Sequence, residues 1–211
     1  SWGTGHNDGF KSLLKVCKGK NVVFDIGSHI GLCSMPISKV IEECGIVYAF
    51  EPSKTNLHYF SMNIQYNGIN NIKLLPLLVG DETKINVPFY ESHYITGMNS
   101  IVSYKNDSTY KITYKKQVSL DDFCADNRIF PEVIKIDVEG AEIKVLKGAR
   151  NVLKKYRPII ILSAHPKHLD LLGESVENLR NLISCLGYKI LDMDRQIVSY
   201  IGLREYLLEP M

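Results

Sequence analysis

VVFDIGSHIG, residues 22–31, joins an apolar run to an acid and to two glycines separated by three residues. An apolar run of this length that meets a glycine turn is typical of a buried strand in a parallel sheet. Open parallel sheets bind ligands at the carboxyl ends of their strands, where the winding of the chain reverses. The turn after this strand is therefore the first candidate site for a small molecule.

Four further apolar runs alternate with segments of helical period: GIVYAFEP (45–52), NIKLLPLLVG (71–80), EVIKIDVEG (132–140) and RPIIILSAH (157–165). This alternation predicts an α/β fold with a mostly parallel sheet. YKILDMD (188–194) and REYLLEP (204–210) predict a closing antiparallel pair. The apolar stripes at 145–156 and 172–186 predict one helix each. Residues 82–118 have no helical period and predict a hairpin inserted between the third and fourth units.

The composition is that of an ordinary globular protein, with 211 residues, a net charge of +2, 45% hydrophobic and 23% charged residues. We predict one domain over residues 1–211, and the near-neutral charge argues against a nucleic-acid partner. Five cysteines without a CxxC pair indicate reduced thiols and a cytoplasmic location. Neither a membrane-spanning run nor a signal-peptide pattern stands in the sequence, so no membrane partner is expected.

Asp25, Gly27, Ser28 and Gly31 form a DxGxxxG turn instead of the GxGxxG turn of dinucleotide-binding proteins. The missing second glycine weakens the case for a pyrophosphate, and with it the case for a nicotinamide cofactor. S-adenosylmethionine has no phosphate; its carboxylate suits N–H groups at a helix N-terminus, and its ammonium suits an acceptor such as Asp25. The alternative is that the glycines only permit a tight strand-to-helix turn.

Two more acids follow the next two strands of the predicted sheet. Glu51 ends GIVYAFEP, where a carboxylate can accept both ribose hydroxyls of an adenosine cofactor. Asp81, in VGDE (79–82), is placed to accept the adenine amino group. The alternatives are a solvated strand end for Glu51 and an ordinary Gly-Asp turn for Asp81.

The fourth strand carries the residues suited to proton transfer. Asp137 and Glu139 stand at its carboxyl end, and His165 follows the fifth strand. These three, in that order, are the candidates to take the proton of an acceptor hydroxyl, and Asp137 is also a candidate to contact the methionyl end of the cofactor. A plainer interpretation pairs Asp137 with Lys135, two residues earlier on the same side of the strand, and leaves His165 as a loop residue.

These stretches together resemble the FkbM family of S-adenosylmethionine-dependent methyltransferases over roughly residues 8–200. The resemblance rests on DIGSHIG (25–31), AFEP (49–52) with Asn56, VSLDDF (118–123), IKIDVEGAEIKVLKGA (134–149) and RPIIILSAHP (157–166). It implies the class I methyltransferase fold (Rossmann-like), a doubly wound, mostly parallel seven-stranded sheet of order 3-2-1-4-5-7-6. It also implies S-adenosyl-L-methionine as cofactor, with contacts at Asp25, Gly27, Gly31 and Glu51, and O-methylation of a hydroxyl on a sugar or small-molecule metabolite.

Contacts with the acceptor are predicted in the inserted region. GMNSIV (97–102) offers Asn99 and Ser100, at a position that is polar in family members as well. The region also holds five tyrosines that either stack on a sugar or aromatic acceptor or simply favour a hairpin, namely Tyr90, Tyr94, Tyr104, Tyr110 and Tyr114. A small-molecule or glycan hydroxyl is the expected partner; a homodimer is compatible with the strand edges, and nothing requires it.

One departure from the family keeps alternatives open. Family members usually have a Glu before the His at the end of the fifth strand, and Ser163 stands at that position. A catalytically inactive module that binds S-adenosylmethionine is therefore the second hypothesis, and a nicotinamide-dependent oxidoreductase the third. IDVEG replaces the (D/N/S)PP(Y/F/W) motif of enzymes that methylate amino groups of nucleic acids, and Cys124 is misplaced for cytosine methylation. No separate acid cluster for Mg²⁺ stands in the sequence, so no metal site is predicted.

Overall fold

The computed structural model describes residues 4–103 and 109–211, so Tyr104 of the insertion and residues 1–3 of the predicted domain lie outside the described residues. The helices are α1 (Thr4–Cys17), α2 (Ser34–Ile37), α3 (Lys54–Tyr66), α4 (Leu120–Asn127), α5 (Glu142–Lys147), α6 (Arg150–Tyr156), α7 (Pro166–Leu171) and α8 (Val176–Cys185). The strands are β1 (Val22–Ile26), β2 (Ile46–Phe50), β3 (Ile72–Leu75), β4 (Leu78–Val79), β5 (Lys84–Ser92), β6 (Tyr110–Val118), β7 (Val133–Ile136), β8 (Ile159–Ala164), β9 (Tyr188–Leu191) and β10 (Arg204–Pro210).

Seven strands of the described chain form one sheet, in the order β3-β2-β1-β7-β8-β10-β9. Five of them run parallel, and β10 pairs antiparallel with both β8 and β9, which confirms the predicted closing pair. Counting these strands alone in chain order, the sheet reads 3-2-1-4-5-7-6. The winding reverses between β1 and β7, and this reversal opens a crevice at their carboxyl ends.

Both faces of the sheet are covered, because alternate residues of a strand point to opposite sides. Phe24 of β1 lies fully buried in the larger core with Phe123 of α4 and side chains of α5, α6 and α8. Val23, its neighbour in sequence, lies in a second core with Leu13 of α1 and Ile37 of α2. Because both faces of β1 are covered, its residues are apolar without alternation from Val22 to Phe24, up to the buried Asp25.

A second, three-stranded sheet has the order β4-β6-β5 and contains the inserted region. β5 and β6 pair antiparallel, and β4 pairs parallel with β6. The prediction of NIKLLPLLVG as a single strand is wrong, because the stretch is divided into β3 in the large sheet and β4 in the small one. Pro76 lies between them, and a proline has no N–H to continue a ladder of hydrogen bonds.

One of the two predicted helices is divided at a glycine, and the other begins after one. The stripe at 145–156 is shared by α5 and α6, with Gly148 between them. A Cβ at Gly148 would lie 2.0 Å from the carbonyl oxygen of Gly80, so two backbones meet there and only glycine fits. The stripe at 172–186 forms one helix as predicted, α8, which begins only at Val176; Gly173 before it has a φ of +73°, a left-handed conformation that separates α8 from the end of α7.

Two further predictions concern the thiols and membrane-spanning segments. The five cysteines are free thiols. Burial raises the pKa of Cys17, Cys33 and Cys124 to about 12, so these three stay protonated and unreactive near neutral pH. Within residues 4–103 and 109–211, no helix is both long and apolar enough to cross a bilayer.

Candidate active site

A cavity lies at the carboxyl ends of β1, β2 and β7 and is bordered by the loop that follows β5. Its polar wall contains Gly27, Glu51, Asn56, Asn99 and Asp137. Its apolar wall is formed by Ile26, Phe50, Pro52, Leu77, Leu78, Val79, Phe89, Ile101, Val138 and Ala141. The fold thus brings four of the predicted site residues, from four separate segments, to one cavity.

The turn at Gly27 holds the three strand ends together. Its φ is +78°, and a Cβ there would lie 1.8 Å from the backbone oxygen of Asp137. The N–H groups of Gly27 and Ser28 both donate to the carbonyl of Phe50, at 3.0 and 3.1 Å. The glycine is therefore required by the close approach of β1 to β7, and it leaves the backbone open toward the cavity.

Glu51 is almost fully buried on the cavity wall. Its Oε2 accepts the backbone N–H of His29 at 2.9 Å, and its Oε1 accepts that of Ser53 at 2.8 Å. The side chain of Asn56 also hydrogen-bonds to this carboxylate. A carboxylate has about four acceptor sites, so Glu51 keeps acceptor capacity for a hydroxyl in the cavity, such as one on a ribose.

The burial of Glu51 predicts a pH dependence of stability. Burial raises the pKa of this carboxyl to about 7, against the opposing hydrogen bonds of Ser53 and His29. The folded state holds the proton more tightly than the unfolded chain, so this contribution is complete below pH 4.5 and is lost as the pH rises through 7. At 1.36 kcal/mol for each pKa unit, the loss is roughly 3 kcal/mol by pH 8.

We expect urea unfolding at about pH 5 and pH 8 to show a smaller fall in stability for Glu51→Gln than for the wild-type chain. The amide cannot ionise, so the difference between the two slopes isolates the Glu51 proton. Parallel pH profiles of the two proteins would contradict the raised pKa.

Asn56 on α3 is a site residue to which the sequence assigned no role. It is buried on the cavity wall, and its Nδ2 donates to the carbonyl of Thr96 at 3.2 Å. Within the described chain its Oδ1 is buried without a hydrogen-bond partner, and buried polar atoms of this kind are rare. The signal in the sequence was an Asn one helical turn after the AFEP motif.

A buried charge network lies under the cavity. The Nζ of Lys135 lies 3.5 Å from Asp25 Oδ1 and 3.2 Å from Asp137 Oδ2, so the predicted Lys135–Asp137 pair is confirmed. Asp25 is fully buried and also accepts the hydroxyl of Ser34 at 2.6 Å. It does not line the cavity, in contrast to the predicted contact with a cofactor, because its side chain points to the face covered by α1 and α2.

Asp137, Glu139 and His165 lie together at the ends of β7 and β8. His165 Nε2 is 3.7 Å from Asp137 Oδ1 and 3.4 Å from Glu139 Oε1. His165 Nδ1 is 2.6 Å from Oε1 of Glu142, a fully buried acid in the first turn of α5. The sequence did not single out Glu142; its signal was an acid three residues after Glu139.

The three groups of this cluster differ in their affinity for protons. Burial raises the pKa of Glu139 to about 7, although His165 opposes this shift. Burial alone would raise the pKa of Asp137, but Lys135 and then His165 hold it below its usual range. For His165, burial would lower the pKa, and the hydrogen bond to Glu142 with the nearby carboxylates raises it instead. The ligand atoms of Asp137, Glu139 and His165 all lie within 4.8 Å of one another, close enough to hold a metal ion together. No metal site was predicted from the sequence.

Two predicted residues of the first turn do not line the cavity. The Ser28 hydroxyl lies 3.4 Å from the carbonyl oxygen of Phe50. Gly31 has a φ of +90°, and a Cβ there would lie 2.1 Å from the ring of Phe60, so this glycine serves the packing of α3. The following helix, α2, has only four residues and does not offer the helix N-terminus expected for a carboxylate.

Asp81 is also placed elsewhere. Its carboxylate lies 3.5 Å from Lys144 Nζ and 3.5 Å from Gln117 Nε2, beside the small sheet. Asp81 does not line the cavity, because the predicted third strand is divided and its second part, β4, leads Asp81 to the small sheet instead of to the strand ends of the large one. Ser163 is buried on β8 opposite Glu205 of β10 and does not line the cavity.

The inserted region contributes one wall of the cavity. Asn99 lines it, with Oδ1 held by the backbone N–H of Ser92 at 2.9 Å. Ser100 donates its hydroxyl to the carbonyl of Glu139 at 2.7 Å and so ties this loop to the turn after β7. The described tyrosines of the insertion do not line the cavity; they are Tyr90, Tyr94, Tyr110 and Tyr114.

Solved structures show which class this fold belongs to. Methyltransferase FkbM from Methylobacillus flagellatus KT matches with a TM-score of 0.58 and 22% identity, over 91% of this chain and 44% of that one. A ribosomal protein L11 methylase from Lactobacillus delbrueckii subsp. bulgaricus matches with a TM-score of 0.55 and 14% identity, over 99% and 79%. The fold, with its crevice at the strand ends, is that of the class I methyltransferases.

The sequence narrows this class to a family. The model of the methyltransferase FkbM domain matches residues 25–190, and the chain belongs to this family. The hexuronic acid methyltransferase AglP of Haloferax volcanii is 27% identical over 163 residues, which are 74% of this chain and 62% of that protein. The chain thus spans less than two thirds of the length of this curated relative.

Proposed function

We propose that this chain is an S-adenosylmethionine-dependent O-methyltransferase that acts on a hydroxyl of a sugar or another small metabolite. The observation that carries the proposal is the buried Glu51 carboxylate, which shares one cavity with the Gly27 turn and Asp137. Membership of a methyltransferase family supports the reaction class. The relative named for hexuronic acid supports a sugar as acceptor.

The residues of the cavity suit this cofactor. Glu51 offers its remaining acceptor capacity to a ribose hydroxyl, and Asn56 offers a buried oxygen without a partner in the described chain. The apolar wall formed by residues such as Leu78, Phe89 and Ile101 suits the flat face of an adenine. None of these contacts requires a pyrophosphate, which agrees with the DxGxxxG turn.

The reaction needs alignment of two groups and removal of one proton. When bound, S-adenosylmethionine would supply a methyl group on a sulfonium sulfur, which would leave as the neutral thioether of S-adenosylhomocysteine when the methyl group is transferred to the acceptor oxygen. Asp137, on the cavity wall, accepts the hydrogen bond of the acceptor hydroxyl and orients its oxygen. The hydroxyl proton then passes to the cluster of Asp137, Glu139 and His165, and help of this kind is typically worth ~10²–10⁴-fold in rate.

Titration calorimetry with S-adenosylmethionine, S-adenosylhomocysteine and NADH tests the cofactor. We expect the two adenosyl ligands to bind and Glu51→Ala to weaken both by about 10–100-fold, since a hydrogen bond to a charged group contributes about 1.5–3 kcal/mol. Asp81→Asn is the matched control, because Asp81 pairs with Lys144 outside the cavity, and its affinity should stay within about twofold.

Each alternative has its own outcome in this experiment. Binding of NADH in preference to the adenosyl ligands would replace the proposal with an oxidoreductase. Tight binding of S-adenosylmethionine without methyl transfer to any panel of uronic acids, neutral sugars and glycosides would favour an inactive binding module. Equal losses for Glu51→Ala and Asp81→Asn would remove Glu51 from the cofactor site.

A further inference from the structure

His165 is oriented so that one ring nitrogen faces two carboxylates. Glu142 Oε1 lies 2.6 Å from Nδ1 and also accepts the backbone N–H of Gly140 at 3.2 Å, which fixes the ring. In the neutral ring whose Nδ1 proton is directed at Glu142, Nε2 is the nitrogen that can bind a cation, and it faces Asp137 and Glu139 at 3.7 and 3.4 Å. Buried carboxylates placed behind a histidine in this way are typical of histidines that bind metal ions.

The spacing of these atoms suits a single cation between them. Ligand atoms about 2.1 Å from one ion lie about 3.0–3.4 Å apart in octahedral or tetrahedral geometry. Of the two distances from His165 Nε2, 3.4 Å lies at the upper limit of this range, and 3.7 Å exceeds it and would close by a few tenths of an ångström on binding. The ligand atoms of all three residues already lie within 4.8 Å of one another.

The local charge also favours a cation. Four carboxylates are linked by ion pairs or hydrogen bonds to Lys135 or His165, namely those of Asp25, Asp137, Glu139 and Glu142. One ammonium and one imidazole do not balance four buried or half-buried acids, even with His168 Nδ1 at 2.9 Å from Glu139. Such excess negative charge is costly away from water unless a counter-charge is bound.

We propose that Asp137, Glu139 and His165 bind a divalent first-row transition metal ion that coordinates the acceptor hydroxyl. One imidazole with two carboxylates suits Mn²⁺, Fe²⁺ or Zn²⁺ better than Mg²⁺ or Ca²⁺, which prefer oxygen ligands alone. Asp137 also lines the proposed cofactor cavity. The role of the ion in methyl transfer therefore rests on the proposed function, whereas metal binding itself does not.

The acceptor class follows from the number of ligands. Three protein ligands leave coordination positions open, and two oxygens on adjacent carbons of the acceptor would fill two of them. Coordination lowers the pKa of a bound hydroxyl, so with the ion present the three side chains would act as ligands, and the hydroxyl proton would pass to water instead of to the metal-free cluster. The site thus selects polyhydroxylated acceptors with vicinal oxygens over isolated alcohols.

Mn²⁺ is the direct probe, because its free six-line paramagnetic resonance signal disappears on binding. We expect the chelator-treated wild-type chain to bind one Mn²⁺, and Glu139→Gln to weaken binding at least about tenfold. Glu142→Gln, which loosens the ring of His165 without removing a ligand, should weaken it by about 10–100-fold. Glu209→Gln is the matched control, with a side chain 16% exposed against 15% for Glu139 and an ion pair to Lys189 at the other end of the sheet.

Two results would overturn the site: an undiminished free Mn²⁺ signal with the wild-type chain, or equal affinities for Glu139→Gln and Glu209→Gln. Thermal unfolding of each variant without metal shows whether it is folded. S-adenosylmethionine titrated into the metal-free chain separates the two proposals. Loss of Mn²⁺ binding with intact cofactor binding removes the metal site alone, and the reverse result removes the proposed function alone.

Discussion

Lys135→Met is expected to lower the free energy of unfolding by about 3–5 kcal/mol, because it removes the counter-charge from two carboxylates at once. The side chain of Lys135 is only 4% exposed, and its ammonium lies within 3.5 Å of both Asp25 and Asp137. Burial would lower the pKa of this lysine, yet the two carboxylates hold it well above its usual range. The methionine fills a similar volume, so the loss measures charge and not a cavity.

Urea unfolding of wild type, Lys135→Met and Lys144→Met checks this prediction. Lys144 pairs with Asp81 at 3.5 Å near the surface, and loss of such a pair costs about 0–1 kcal/mol. Adding Asp25→Asn to Lys135→Met should restore part of the stability, because a neutral amide needs no counter-charge. A loss of less than about 1 kcal/mol for Lys135→Met would show that water reaches the network.

Gly27→Ala is expected to destabilise the fold by about 2–5 kcal/mol and to abolish binding of S-adenosylmethionine. The new Cβ would lie 1.8 Å from the carbonyl oxygen of Asp137, and backbone cannot rotate away as a side chain can. The ends of β1 and β7 would have to separate, and this movement would carry Asp137 away from Glu51 across the cavity.

Gly173→Ala separates this clash from backbone strain. Its φ of +73° matches the +78° of Gly27, and nothing lies within 4 Å of its added Cβ. Strain alone should cost about 1–2 kcal/mol there and leave cofactor binding unchanged. Equal losses of stability in the two variants, or normal cofactor affinity in Gly27→Ala, would contradict the close approach of the two strands.

The sequence predicted most of what depends on local pattern. The strands around Asp25, Glu51 and Asp137 were found because a buried parallel strand is apolar throughout, and an acid at its end is conspicuous. The placement of Glu51 and Asp137 at one cavity followed from a rule about strand ends that applies to any open parallel sheet. Membership of the family rested on the same short stretches.

The rest depended on contacts between distant segments. Glu142 acquires its role from His165, 23 residues later, and no periodicity in the sequence encodes that hydrogen bond. Asp25 lies away from the cavity because the alternation along β1 puts its side chain on the face covered by α1 and α2, where Lys135 of the neighbouring strand β7 is in register with it. Asp81 lies away from the cavity because the third strand is divided at Pro76. The proline is visible in the sequence, but its position alone does not show that the chain leaves the large sheet there.

The hydrogen bond from Ser100 to the carbonyl of Glu139 joins two parts of the chain with different structural constraints, the loop after β5 and the turn after β7. The strand ends are constrained by the core on both faces of the sheet, so their residues tolerate little exchange. The loop after β5 is held at Ser100, whose backbone also pairs with Tyr90, and at Asn99, whose Oδ1 accepts the N–H of Ser92. A replacement in this loop that keeps Ser100 in place is therefore expected to alter the cavity wall without moving the turn after β7.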